Sequence, residues 1–135
     1  MADLRTTLAG SLAALEVEFP DLGALMVERV PGIVSLRVGE EELALVLECG
    51  RLRLESEGDR DGPAVVDVRV SKETILALAG GQTSIEEATV SGDLHVAGAA
   101  PDLCEAYDAL LLYIEGVARS PGGAARLRSY REDER

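Results

Sequence analysis

Residues 63–98 read PAVVDVRVSKETILALAGGQTSIEEATVSGDLHVAG, and two changes of period within them decide the fold class. Val66, Val68 and Val70 alternate with Asp67 and Arg69, the pattern of a strand with one buried face. At Ser71 the alternation stops. Ser71 can cap a short helix through Ile75, Leu76 and Leu78 that Gly80-Gly81 closes. Ser84 and Glu87 have the spacing of a capping box, in which each residue satisfies a free backbone donor near the other. Ser91-Gly92-Asp93 then returns the chain to a strand at Leu94 and Val96, ended by Gly98.

Upstream, the same period of two recurs. Val34, Leu36 and Val38 alternate with Ser35 and Arg37. After a turn at Gly39-Glu40, Leu43, Leu45, Leu47 and Cys49 point one way, and Gly50 leads into Arg51-Leu52-Arg53-Leu54-Glu55. Gly58 to Pro63 is a charged loop. Strands in sequence joined by short turns predict antiparallel pairing, and alternation predicts one buried face. The inward set is Val34, Leu36, Leu45, Leu47, Leu52, Leu54, Val66, Val68, Leu94 and Val96. Helices must cover that face, which makes the fold class α+β.

Helices are available at both ends. Asp3 can cap a helix with Leu4, Leu8, Leu12 and Leu15 on one stripe, weakened by Gly10 in its middle. Pro20-Asp21 ends or restarts it, and Leu22 to Val27 continue as a short helix before Pro31-Gly32. The last helix opens at Pro101-Asp102 and runs to about Arg119. Leu103, Tyr107, Leu110, Leu111 and Ile114 form its main face, and Leu112, Tyr113 and Val117 widen it beyond an ordinary stripe. Residues 1–120 read as one domain, and 121–135 as a polar, solvated tail.

Composition bounds the chemistry. The chain has 135 residues, enough for one domain, and 25 acidic residues against 13 Lys plus Arg, a net charge of −12. Clustered cations, which binding to a phosphate backbone requires, are lacking, and one Phe, three Tyr and no Trp give no platform for stacked bases. No nucleic-acid partner is expected. The same charge opposes adsorption on anionic lipid surfaces. No apolar run approaches bilayer length, so no stable membrane insertion is expected. Leu8 to Val17 is apolar enough for the core of a secretion signal, but Glu16 and Glu18 interrupt it and no small-x-small cleavage site follows. The expected location is cytoplasmic.

No catalytic set emerges. His95, the single histidine, should face the polar side of its strand. Glu40-Glu41-Glu42 and Glu86-Glu87 are explained by a turn and a helix N-terminus. The paired glycines are not followed by Gly-Lys-Ser/Thr, so there is no phosphate loop. Cys49 and Cys104 form no metal motif and read as small buried hydrophobes. No catalytic residue, metal or cofactor is expected.

The order of these elements, with Ile75, Leu78, Gly80, Gly81, Ala88, Gly92, Leu94, Val96 and Gly98 in place, resembles the sterol carrier protein-2, or sterol-transfer, domain family. The resemblance covers roughly Ile33 to Val117 and rests on glycines and aliphatics rather than on any single diagnostic residue. It implies a five-stranded, mostly antiparallel sheet with helices on one face, enclosing an apolar tunnel for a fatty acid, sterol-like or isoprenoid lipid. On that basis the tunnel is assigned to Val68, Val70, Ile75, Leu78, Val96, Leu103, Tyr107, Leu110, Leu111 and Ile114, with Tyr107, Tyr113 and Gln82 as polar groups near its mouth. The partner implied is thus a hydrophobic small molecule or lipid. The rival is a protein-interaction or accessory module of the same fold with a filled core and a protein partner. The acidity, the scarcity of rings and a C-terminus unlike a peroxisomal tripeptide depart from the family pattern.

Overall fold

The computed structural model describes residues 3–48, 50–56, 58 and 62–132. It opens on α1 (Leu4–Glu18), started by the Asp3 carboxylate, which accepts from the Thr6 N–H at 2.8 Å. A second free donor of that first turn, the Leu4 N–H, reaches Oε2 of Glu41 at 2.7 Å. Pro20 cannot extend α1, but its fixed φ suits a new first turn, and α2 (Pro20–Glu28) begins there.

Five strands follow the alternation in the sequence: β1 (Ile33–Val38), β2 (Glu41–Glu48), β3 (Arg51–Glu55), β4 (Val66–Val70) and β5 (Leu94–Gly98). They form one sheet in the order β3-β2-β1-β4-β5. Val34 lies opposite Leu45, Leu45 opposite Leu54, and Val68 opposite Val96, all in antiparallel pairs. β1 and β4 run parallel, with Val34 beside Val66 and Leu36 beside Val68. The sheet is therefore mixed, where sequential hairpins would have made it antiparallel throughout. Alternation is the same for either direction of a neighbour, so it cannot report this. The chain leaves β3 at one edge of the sheet and next pairs, as β4, on the far side of β1.

The register places all ten expected inward residues on one face, buried or half-buried, together with Val38, Leu43 and Val70. The opposite face carries Arg37 paired with Glu42, and Arg53 within 2.7 Å of Glu55 and 3.4 Å of Glu48. Ala44 and Val46 are buried on that face, opposite Glu55 and Arg53 of β3, whose long side chains flank them.

Two short helices bridge β4 to β5. In α3 (Lys72–Ala79) the Ser71 hydroxyl accepts from the Thr74 N–H at 3.0 Å. In α4 (Ile85–Ser91) the capping box is complete, with both Ser84 and Glu87 accepting from each other's backbone N–H. Gly92 ends α4 in the left-handed region at φ +85°, which a side chain would strain. Gly98 ends β5 where the backbones crowd: a Cβ there would lie 2.7 Å from the Val65 carbonyl oxygen. These two glycines had carried much of the family likeness, and each has a steric cause.

Helix α5 (Ala100–Arg119) crosses the sheet, and α6 (Pro121–Glu132) packs back along α1. The expected solvated tail beyond 120 is thus largely a helix, with Tyr130 only 1% exposed and Leu127 against the core. The helix's Pro-Gly-Gly opening and three arginines hid this, because only Leu127 and Tyr130 mark its apolar side. The approach to α1 is close at small residues. A Cβ on Gly10 would meet the Arg126 side chain at 2.8 Å, and one on Gly122 would meet Ala14 Cβ at 3.0 Å. Gly10, a weakness for an isolated helix, is here the seat for α6. Cys104 is exposed rather than buried, and Cys49 lies outside the described residues.

Candidate functional site

Between the inner face of the sheet and the helices lies an apolar cavity of about 350 Å³. That falls in the range of about 300–1,000 Å³ typical of small-molecule sites. Val34, Leu36, Val68 and Val96 of the sheet form its floor, and α1, α5 and α6 roof it. Among the described residues, none on its wall carries a charge.

Seven of the ten residues assigned from the sequence meet at this cavity: Val68, Val70, Ile75, Val96, Leu103, Tyr107 and Leu110. Leu78 and Ile114 instead line a separate groove between α3, α5 and α6. Leu111 corrects the expectation outright: it is 38% exposed and faces away. The inward face of α5 runs through Leu103, Ala106, Tyr107, Ala109, Leu110 and Tyr113. Reading by bulk favoured Leu111 and Ile114 over the two alanines. Yet small side chains on an inward face are what leave room for a void, and Ala106 and Ala109 were the available signal.

Residues of the terminal helices were missed entirely: Leu4, Thr7 and Leu8 of α1, and Leu127 and Tyr130 of α6, also line the cavity. In α1 the buried stripe is Leu4, Thr7, Ser11 and Leu15, so two hydroxyl residues sit on the core side. Counting them as inward would have revealed a wider face than the leucines alone.

The polar atoms around the cavity are few. Ser11 Oγ donates to the Leu8 carbonyl at 3.0 Å and lies 2.7 Å from the Tyr113 hydroxyl. Either hydroxyl of that pair can be the donor. Burial pushes the Tyr113 pKa up, partly offset by that serine. Tyr107 donates to the Glu86 carboxylate at the solvent side, which raises the phenol and lowers the acid. Tyr130 donates to Glu41 Oε1 at 2.9 Å, and burial first, then Glu41, raises its pKa. Thr7 Oγ1 is buried with no hydrogen-bond partner among the described residues. Gln82 is exposed and not at the cavity.

His95 is exposed in β5, opposite Arg69 of β4. Among the described residues, no group of three or more His, Cys, Asp and Glu side chains is placed to hold a metal ion. No described helix is long and apolar enough to cross a membrane.

The sequence model of the SCP-2 sterol transfer family matches residues 13–103. The chain belongs to that family. Among curated proteins none matches by sequence. Solved SCP-2 structures share its fold at low identity. The sterol carrier protein domain 2 of Helicoverpa armigera superposes with a TM-score of 0.60 at 16% identity, covering 82% of this chain and 87% of its own. Sterol carrier protein 2 from Yarrowia lipolytica, in its apo form, gives 0.60 at 12% identity, covering 85% and 91%. UbiJ-SCP2, a ubiquinone synthesis protein, gives 0.60 at 19%, covering 86% and 95%. The family match excludes the first half of α1, most of α5 and all of α6. Much of the cavity roof therefore lies outside the residues that the family model matches.

Proposed function

We propose that this protein binds a lipid in the cavity and carries it through water as a non-enzymatic carrier. The observation that carries the reading is the cavity itself: about 350 Å³ of space walled by aliphatic side chains with no charge among them. Each methylene that leaves water for such a space gains about 0.8 kcal/mol, so an acyl or isoprenoid tail needs no aromatic or ionic anchor. The family and its fold support the same reading. The chain would act as one unit in the cytoplasm, with α6 part of the lipid-binding domain. Val68, Val70, Ile75, Val96, Leu103, Tyr107 and Leu110 are the contacts we assign to the lipid.

A second reading keeps the bound lipid and changes its purpose: an accessory subunit that presents a hydrophobic substrate to a partner enzyme. The likeness to a ubiquinone synthesis protein over most of both chains favours it.

Native mass spectrometry of the purified protein, repeated after denaturation, tests the carrier. The expected result is an added mass of lipid size that denaturation releases. Lipid-free protein that also fails to take up the neutral dye Nile red would rule the carrier out.

A further inference from the structure

Threonines and serines within helices ordinarily give their hydroxyl proton to a carbonyl one turn back. Thr89 of α4, also on the cavity wall, does so to Ile85 at 2.7 Å, and Ser11 gives its proton to Leu8. Thr7 is 4% exposed, lines the cavity, and has no partner for Oγ1 among the described residues. A buried hydroxyl left unmatched is unfavourable to the fold and persists only where something else satisfies it.

A trapped water is a poor candidate, because internal waters make about three hydrogen bonds and need a polar niche. Among the described wall residues the other side-chain hydroxyls are those of Thr89, Tyr107, Tyr113 and Tyr130, and each already has a hydrogen-bond partner. Thr7 can both donate and accept. That suits a ligand group with one neutral oxygen. An ionised head would enter without a countercharge, because the described wall residues hold none.

We infer that Thr7 selects the ligand, and that the cavity takes a neutral lipid bearing a hydroxyl or carbonyl oxygen, which the Thr7 hydroxyl meets. The inference rests on the carrier reading. It deepens that reading by naming the class of cargo and a residue outside the matched family span. A carboxylate lipid, ionised at neutral pH, is disfavoured on this account.

The test is displacement of Nile red from delipidated protein by lauryl alcohol, methyl laurate, laurate and dodecane at neutral pH, with wild type, Thr7→Val and Thr7→Ser. Thr7→Val should weaken lauryl alcohol and methyl laurate about tenfold, the value of one buried hydrogen bond. It should leave dodecane unchanged, and Thr7→Ser should retain most of the alcohol affinity. Laurate should bind less tightly than the alcohol. If Thr7→Val leaves alcohol and ester as tight as in wild type, or if laurate equals the alcohol, the inference is overturned while the carrier stands. If wild type takes up neither dye nor any lipid, the carrier falls and the inference with it.

Discussion

The Tyr130 hydroxyl donates to Oε1 of Glu41 at 2.9 Å, while the other oxygen of the same carboxylate accepts from the Leu4 N–H at 2.7 Å. One side chain at the start of β2 thereby fastens both the first and the last helix. Lys72, at the start of α3, sits 4.1 Å above the Tyr130 ring. Tyr130→Phe keeps the ring and loses the bond to a charged acceptor, so it should cost about 1.5–3 kcal/mol. Tyr130→Ala should cost about 3–5 kcal/mol by emptying a filled site. Urea unfolding of both variants measures this, and equal, negligible losses would remove the clasp from the account.

Alkali should weaken the fold through the phenols. Tyr130 and Tyr113 both have folded pKa values above their ordinary 10.0. Above about pH 10 the unfolded chain gives up these protons while the folded chain keeps them. Their contribution to stability is therefore complete below pH 10 and is lost as pH rises through the folded values. The urea midpoint should be flat between about pH 7 and 9 and fall beyond 10, with a shallower fall in Tyr130→Phe.

Phenylalanine placed at two positions separates wall from surface. Leu111→Phe adds bulk to an exposed site and should change stability by less than about 0.5 kcal/mol, with no effect on dye uptake. Val96→Phe puts a ring into the cavity floor. In a filled core that change would overpack at about 1–3 kcal/mol. With a cavity to receive the ring, the expected result is a smaller loss of stability and at least tenfold weaker Nile red uptake.

Gly116 is the tight point between α5 and the first two helices. A Cβ there would stand 2.7 Å from Leu15 Cδ2 and 2.9 Å from Leu22 Cδ2, and Leu15 is fully buried. Glycine to alanine within a helix normally gains about 1 kcal/mol. Here Gly116→Ala should lose about 1–3 kcal/mol, and the reversed sign in thermal unfolding is the check.

Most of the framework was legible because period and caps are local properties. Ser71, Ser84 with Glu87, and the five alternating runs each declared themselves within a few residues. The direction of β4 against β1 was not, because residues 34–38 and 66–70 alternate identically whichever way they run. The cavity wall was legible where bulk and burial coincide, as at Val68, Val96 and Leu110. It failed at Leu111, where a large residue points outward, and at Thr7, Ala106 and Ala109, where small or polar ones point in. A void is defined by what is missing, and a hydropathy pattern registers only what is present.

The roof of the cavity has a consequence in time. Its walls include Leu4 and Thr7 near the start of the chain and Leu127 and Tyr130 near residue 132. A ribosome delivers the sheet and α5 first, and α6 only afterwards. Throughout that interval the nascent protein holds an aliphatic trough open to its surroundings, and the clasp at Glu41 cannot form until Tyr130 emerges. The enclosure is thus completed only when α6 arrives, and a lipid already lying in the trough would then be sealed in.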